Sequence, residues 1–334
     1  MNTTSARAAR FHRLVAGLAV VTLALGSVSA LAQDNWPAGK PITWVVPYPA
    51  AGSTDVMVRA IGQRMATSLG ATVIVDNRPG ATGTIGGAYV AKSAPNGYTL
   101  LGTTIGAQTI APHLIARMTY DPLRDLQPLA MIGTVPQLLV VAPAKAYRNV
   151  NDILSAARAR PGEIAYASGG NGTIMQVESE LLAQRTGVRL IHVPYKGDAP
   201  ALQDTLGGQV DFMFVPAAAA LAHVKSGRLR AIAVTSAKRL AALPDVPTMG
   251  ESGQKDFVVE QWLAAYAPAG TPAVIAQRLN AELNRAMNEP QVKELADQLG
   301  ITLVGGAPAH LAQVQETDSR TWGQVIRNAN IKAE

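Results

Sequence analysis

Short apolar, β-branched runs alternate with stretches whose apolar residues recur at helical spacing along most of the chain beyond residue 40. The runs predict strands over 42–46, 73–76, 99–102, 138–142, 163–167, 189–193, 210–215, 230–235 and 262–267. The helical spacing predicts helices over 55–69, 85–93, 150–159, 174–186, 199–206, 217–226, 272–287, 290–299 and 308–329. Strands and helices in this order form an α/β fold, with helices packed around mainly parallel sheets. No fixed-period repeat or low-complexity tract breaks the pattern.

The start of the chain has a different pattern. Arg7, Arg10 and Arg13 precede an apolar run over 14–25, and Ala30-Leu31-Ala32 has the form of a cleavage site. Residues 1–32 are therefore expected to be a secretory signal cut after Ala32. No later run reaches the roughly 18 unbroken apolar residues of a membrane span, so the expected mature protein is exported and not membrane-inserted. Three units of the formal charge of +6 belong to those signal arginines, and the remainder is too weak to point to nucleic acid. The absence of cysteine excludes disulfides, thiolate nucleophiles, cysteine metal ligands and a lipidated cysteine. The length beyond the signal suits two medium domains better than one.

Candidate chemistry lies where predicted strands meet predicted helices. Pro47 to Asp55 reads PYPAAGSTD, an uncharged turn between a strand and a helix. Gly52 permits close backbone approach, and Ser53 or Thr54 is expected to cap the helix. A helix start leaves backbone N–H groups without acceptors and carries partial positive charge, so this loop suits a carboxylate or phosphate. The same order recurs at 163–174, where Ser168, Gly169, Gly170, Asn171, Gly172 and Thr173 precede a helix. Thr173 and Gln176 have capping-box spacing. Two such loops would form opposite walls of one cleft. A third cluster, NRPGATGTIGG over 77–87, lacks dinucleotide glycine spacing, and Thr103 and Thr104 follow another strand.

Patterns for covalent chemistry are weak. No G-x-S-x-G elbow exists, and Ser252 with Lys255 meets S-x-x-K only in an unsupported loop. The five histidines are scattered without zinc spacing. Glu178 and Glu180 are two apart on a helix and read as solvated face charges, while Asp204 and Asp211 are the other conceivable acid pair. Lys196, between a strand and a helix, is the isolated cation placed to meet an anion.

Four segments carry a family resemblance: PYPAAGSTD; VIVDNRPGATGTIGGAYVAKSAPNGYTLL over 73–101; VPYKGDAPALQDTLGGQVDFMF over 193–214; and WLAAYAPAGTP over 262–272. In order and spacing the chain resembles the Bug family, the periplasmic solute receptors of tripartite tricarboxylate transporters. The resemblance implies a two-lobed periplasmic binding fold of type II-like form, with a ligand cleft between lobes joined by a two-strand hinge. Lobe 1 would comprise 33–137 plus 263–334, and lobe 2 would comprise 138–262. By position, Tyr48, Ala51, Gly52, Ser53, Thr54 and Asp55 would hold a ligand carboxylate. Asp55 would order the loop, since a bare carboxylate repels an anion. Residues 168–173 would supply facing amides and hydroxyls. Thr82, Gly83, Thr84 and Thr104 would line the first lobe, and Tyr195, Lys196 and Gly197 the second.

The chain departs from the family pattern at Gln176, where relatives often carry histidine, and at Asn171, where a small or hydroxyl residue is usual. The implied function is capture of a small mono-, di- or tricarboxylate by a monomeric receptor, without cofactor or metal, for delivery to transporter membrane subunits. The alternatives are a sensing module for a two-component kinase and an exported hydrolase using Ser168 or Ser252.

Overall fold

The computed structural model describes residues 36–332, so the expected signal over 1–32 lies outside the described residues. β1 (Ile42–Val46) leads into α1 (Ser53–Leu69), then β2 (Val73–Asn77), a 3₁₀ turn (Ala81–Gly83), α2 (Thr84–Ala91) and β3 (Thr99–Thr104). A π-helical turn (Gly106–Ile110) runs directly into the short α3 (Ala111–Leu114). β4 (Leu126–Val141) is followed by α4 (Val150–Ala159), β5 (Ala165–Ser168), α5 (Ile174–Thr186), β6 (Ile191–Pro194) and α6 (Asp198–Leu206). Next come β7 (Phe212–Pro216), α7 (Ala217–Lys225), β8 (Arg230–Val234) and β9 (Glu260–Pro268). The chain closes with α8 (Ala273–Met287), α9 (Pro290–Gln298), β10 (Thr302–Gly305) and α10 (Pro308–Asn328).

The strands run in the order β2-β1-β3-β9-β4-β7-β5-β6, with β8 and β10 also on β4. Only the two ends of this order, β2-β1-β3 and β7-β5-β6, are parallel; β4 and β9 are antiparallel to all their neighbours. The expectation of mainly parallel sheets is corrected accordingly. The predicted strand over 138–142 is the end of the 16-residue β4. Its first part pairs with β9 and β10 as far as Pro136, and from Gln137 onward it pairs with β7 and β8. Proline has no N–H to give a ladder, which suits it to this change of partners. The return crossing is clasped to the same point: Thr235 N–H donates to Gln137 O at 3.0 Å, and Gln137 N–H donates to Thr235 Oγ1 at 2.9 Å.

Two buried cores flank these crossings. One gathers Trp44, Met57, Ile61 and Met65 under α1 and α8; the other runs from Leu101 and Ile110 to Tyr166, Phe212 and Phe214. Each such fully buried side chain stabilises the fold by about 1.5–3 kcal/mol. α10 spans the second core. His113 Nε2 of α3 meets Ser319 Oγ at 3.0 Å, and Gln184 Nε2 of α5 donates to Val325 O at 3.0 Å. The carboxyl ends of β1 and β3 and of β5 and β6 lead to the loops of interest, the usual position for ligands in α/β sheets.

Candidate functional site

The loop after β1 is built around Asp55, which is buried. Its carboxylate accepts from Ala51 N–H at 2.9 Å, from Asn77 Nδ2 at 2.9 Å and from Arg59 Nε at 3.0 Å. Asn77 Nδ2 also donates to Tyr48 O at 3.1 Å. Burial pushes the Asp55 pKa up, but the Arg59, Ala51 and Asn77 hydrogen bonds hold it below the ordinary carboxylate value. All of these partners lie within the protein, so Asp55 organises the loop. The expected cap at Ser53 or Thr54 is corrected: Gly52 is the N-cap, without a side-chain cap bond. Asp55, in the first turn, reaches back past the cap to Ala51 instead, and Ala51 takes a left-handed φ of 67°. The N–H groups of Ser53, Thr54 and Asp55 have no intrahelical acceptor.

Tyr48 ties this loop to β3. Its hydroxyl lies 2.7 Å from Thr104 Oγ1 and 3.4 Å from Thr103 Oγ1, and burial pushes its pKa up. A Cβ on Gly83 would press on Tyr48 and Ala107 at 3.2 Å, so the 3₁₀ turn and the π-helical turn close over the tyrosine. In that turn Ala81 and Thr82 have φ of 45° and 56°. A β-branched residue there is a genuine outlier, and such strain collects at binding sites. Thr84 Oγ1 is occupied, donating to Ala81 O at 2.8 Å.

The loop after β5 is a second knot. Gly172 N–H donates to Gln176 Oε1 at 2.7 Å, which leaves Gln176 Nε2 to donate to His192 Nδ1 at 3.0 Å. His192 therefore carries its proton on Nε2 and donates to Ser168 Oγ at 2.6 Å; Ser168 donates in turn to Gly170 O at 3.0 Å. Burial holds the imidazole down at about 4, consistent with a neutral ring. Ser168 is fully buried and faces the protonated nitrogen, so His192 cannot take its proton. The capping-box expectation at Thr173 is corrected in the same way as the first cap. Thr173 is the N-cap, but its hydroxyl donates to Gly170 O at 2.8 Å, and Gln176 reaches Gly172.

These bonds limit what the second loop offers a ligand. The N–H groups of Gly170 and Gly172 are engaged within it, and Tyr195 and Gly197 spend theirs on Ser168 O and Gly169 O, each at 3.0 Å. Tyr195 donates its hydroxyl to Asp204 at 2.7 Å, and its pKa is pushed up to about 12 by burial and then by that carboxylate. Lys196 is exposed, with no ion pair among the described residues. Asp211 accepts from Lys145, Tyr147 and Ala165, far in role from Asp204, so these acids form no pair. Ser252 donates to Thr248 O at 2.9 Å within its turn. Glu178 is corrected outright: it is wholly buried, and Glu180 accepts from Tyr166 OH at 2.6 Å.

A cavity of about 520 Å³ lies where the two sides meet. Ala81 and Thr82 line it from the first side, and Asn171 and Gly172 from the second. Ala111, Leu114, Ile115 and Ala116 complete the wall, and Leu114 comes close enough to Gly172 that a Cβ there would collide with it. This wall was missed in the sequence, where 105–116 follows β3 without a loop and contains Pro112; its one legible signal is the apolar spacing of Ile110, Leu114 and Ile115. A larger cavity of about 620 Å³ lies along the crossing strands, lined by Lys238 and Arg239 as well as Glu260 and Asp318, and none of residues 47–55 or 168–173 lines it. Among the described residues no cluster of histidine, aspartate and glutamate could hold a metal, and no helix is long and apolar enough to cross a membrane.

A mixed α/β sheet curled into two halves, with strand-end loops facing one cavity, defines the class of periplasmic binding proteins. Residues 57–331 match the family described as the tripartite tricarboxylate transporter family receptor, and the chain belongs to that family. It is 37% identical over 321 residues to Protein BugT of Bordetella pertussis, covering 96% of this chain and 98% of BugT. An R. palustris protein solved with adipate superposes with a TM-score of 0.74 at 33% identity, covering 89% of this chain and 99% of that one. MatC from Rhodopseudomonas palustris, solved with bound malate, gives a TM-score of 0.71 at 31% identity, covering 86% and 99%. The family is periplasmic and binds solutes.

Proposed function

We propose that this chain is a periplasmic receptor that captures a small organic carboxylate in the 520 Å³ cavity and delivers it to the membrane subunits of a tripartite transporter. The observation that carries the reading is that cavity's position between the Thr82 and Asn171 loops, beside the starts of α2 and α5. The neighbours solved with adipate and malate support a carboxylate ligand. Ser53 and Thr54 offer N–H groups, and Tyr48 and Thr104 hydroxyls, from one wall; the start of α5 offers N–H groups from the other. The lobes are 33–137 with 263–334, and 138–262; the change of β4 partners at Pro136 and Gln137 supports that division. α10 belongs to the first lobe by sequence but also touches α5, so it stiffens the hinge side.

The receptor acts as a monomer, exported by the signal at 1–32, and makes or breaks no bond. Its ligand shifts the lobes toward closure by binding that state more tightly. Thermal and denaturant unfolding of the mature protein across a panel of mono-, di- and tricarboxylates tests the reading. A bound carboxylate at about 100 times its Kd adds roughly 2.7 kcal/mol to stability. A response to sugars or cations with none to any carboxylate refutes it.

A further inference from the structure

Resting on that reading, we infer that His192 is the positioning residue of the second cavity wall: its neutral ring, with the proton on Nε2, holds Asn171 and Gly172 in place for the carboxylate ligand. One backbone group sets the direction of every bond in the chain that does this. The Gly172 N–H can only donate, so the Gln176 atom 2.7 Å away is the amide oxygen. The Gln176 NH₂ is then the group 3.0 Å from His192 Nδ1, which must accept and so has no proton. That leaves Nε2 to donate to Ser168 Oγ at 2.6 Å, and the Ser168 hydroxyl donates onward to Gly170 O at 3.0 Å. His192 therefore grips the loop on both sides of Asn171, through Ser168 before it and through Gln176 after it. Asn171 and Gly172 are the residues of this loop that line the cavity.

The ring is fixed from its face as well. Tyr166 stacks on it with centroids 5.0 Å apart, and Tyr166 is itself anchored by donating to Glu180 at 2.6 Å. A second proton on His192 would set Nδ1–H against the Gln176 NH₂, two donors face to face, and the chain would break there. The titratable groups on the surrounding elements are Glu178 and Glu180 on α5, Tyr166 on β5, and Asp198, which crowds Gly169. Burial raises the pKa of each of these four. Burial also holds the imidazole down at about 4, so the neutral ring persists through neutral pH.

Nitrogen-15 NMR of the ligand-free wild type is expected to show His192 neutral, with its proton on Nε2, from about pH 8 down to about pH 5.5. The Nδ1 form, or titration near the ordinary histidine value, overturns the inference. His192→Asn keeps an acceptor for Gln176, whereas His192→Phe keeps only the ring that stacks on Tyr166. Amide exchange at Gly172 is expected to stay near the wild-type rate in His192→Asn and to quicken about tenfold in His192→Phe; equal exchange in the two counts against it. Gln176→Glu keeps the acceptor for Gly172 but turns the group facing Nδ1 from donor to acceptor. His192 must then take both protons to keep the chain, and the new carboxylate lifts its pKa. Isothermal titration uses acetate, malate, adipate and citrate as probes. Gln176→Glu is expected to bind about tenfold more tightly at about pH 5.5 than at about pH 8.5, after correction by the wild type over the same range. Equal weakening at both pH values marks a merely structural role and overturns the inference while leaving the carboxylate receptor standing. Failure of every carboxylate with the wild type overturns both. Should Gln176→Glu not fold, the wild-type spectrum and the Gly172 exchange decide.

Discussion

Glu178 shows how far one side chain can stand from its apparent role. It is wholly buried on α5, and neither carboxyl oxygen has a hydrogen-bond partner among the described residues. Burial raises its pKa well above the ordinary value, so the neutral acid is the folded form. A raised folded pKa gives a contribution fully present below the unfolded value and lost as pH rises toward the folded one. Glu178→Met, which removes the unpaired polar atoms at similar size, is expected to add about 1–3 kcal/mol at pH 8 and less at pH 4. Denaturant titrations at the two pH values measure this; destabilisation at pH 8 would mean that the carboxyl does useful work. Two-apart spacing showed that Glu178 and Glu180 face different ways, but not that both ways lead inward.

At the scale of elements, α1 and α5 start by the same device. In each, a first-turn side chain accepts from the N–H four residues earlier: Asp55 from Ala51, and Gln176 from Gly172. The first is charged and also binds Arg59 and Asn77; the second is neutral and orients His192. Asp55→Ala removes the centre of its loop and is expected to cost about 3–5 kcal/mol at pH 7 by denaturant unfolding. Since the folded Asp55 pKa is lowered, its contribution is present above the ordinary carboxylate value and lost as pH falls through the folded one. The deficit of the variant should therefore shrink near pH 3. Helix 150–159 follows from its apolar spacing, which buries Val150, Ile153, Leu154 and Ala157 on one face. The first part of β4 and all of β10 escaped, because Pro128, Gly133 and Pro136 interrupt one, and the other is a four-residue strand without alternation.

For the whole molecule, Gly172 is the contact on which the proposed closure turns. Its φ of 75° disfavours any side chain, and Leu114 from the opposite side leaves no room for one. Gly172→Val is expected to hold the lobes apart, weakening carboxylate binding tenfold or more while keeping the native far-ultraviolet circular dichroism. Small-angle scattering should show the wild type contracting with ligand and the variant keeping its free radius of gyration; contraction of both would place closure elsewhere.

The α/β class, nine of the helices and the loops at 47–55, 77–87 and 168–173 were legible because periodicity, glycine and hydroxyl residues act locally. The chain alone also disfavoured a nucleophilic elbow and cysteine chemistry. Tertiary structure decided what those local rules leave open: which helix-start N–H groups are already spent, which way His192 holds its proton, and that Leu114 stands against Gly172. Those outcomes depend on atoms distant in sequence meeting in space, and a pattern read along one chain carries no record of such meetings.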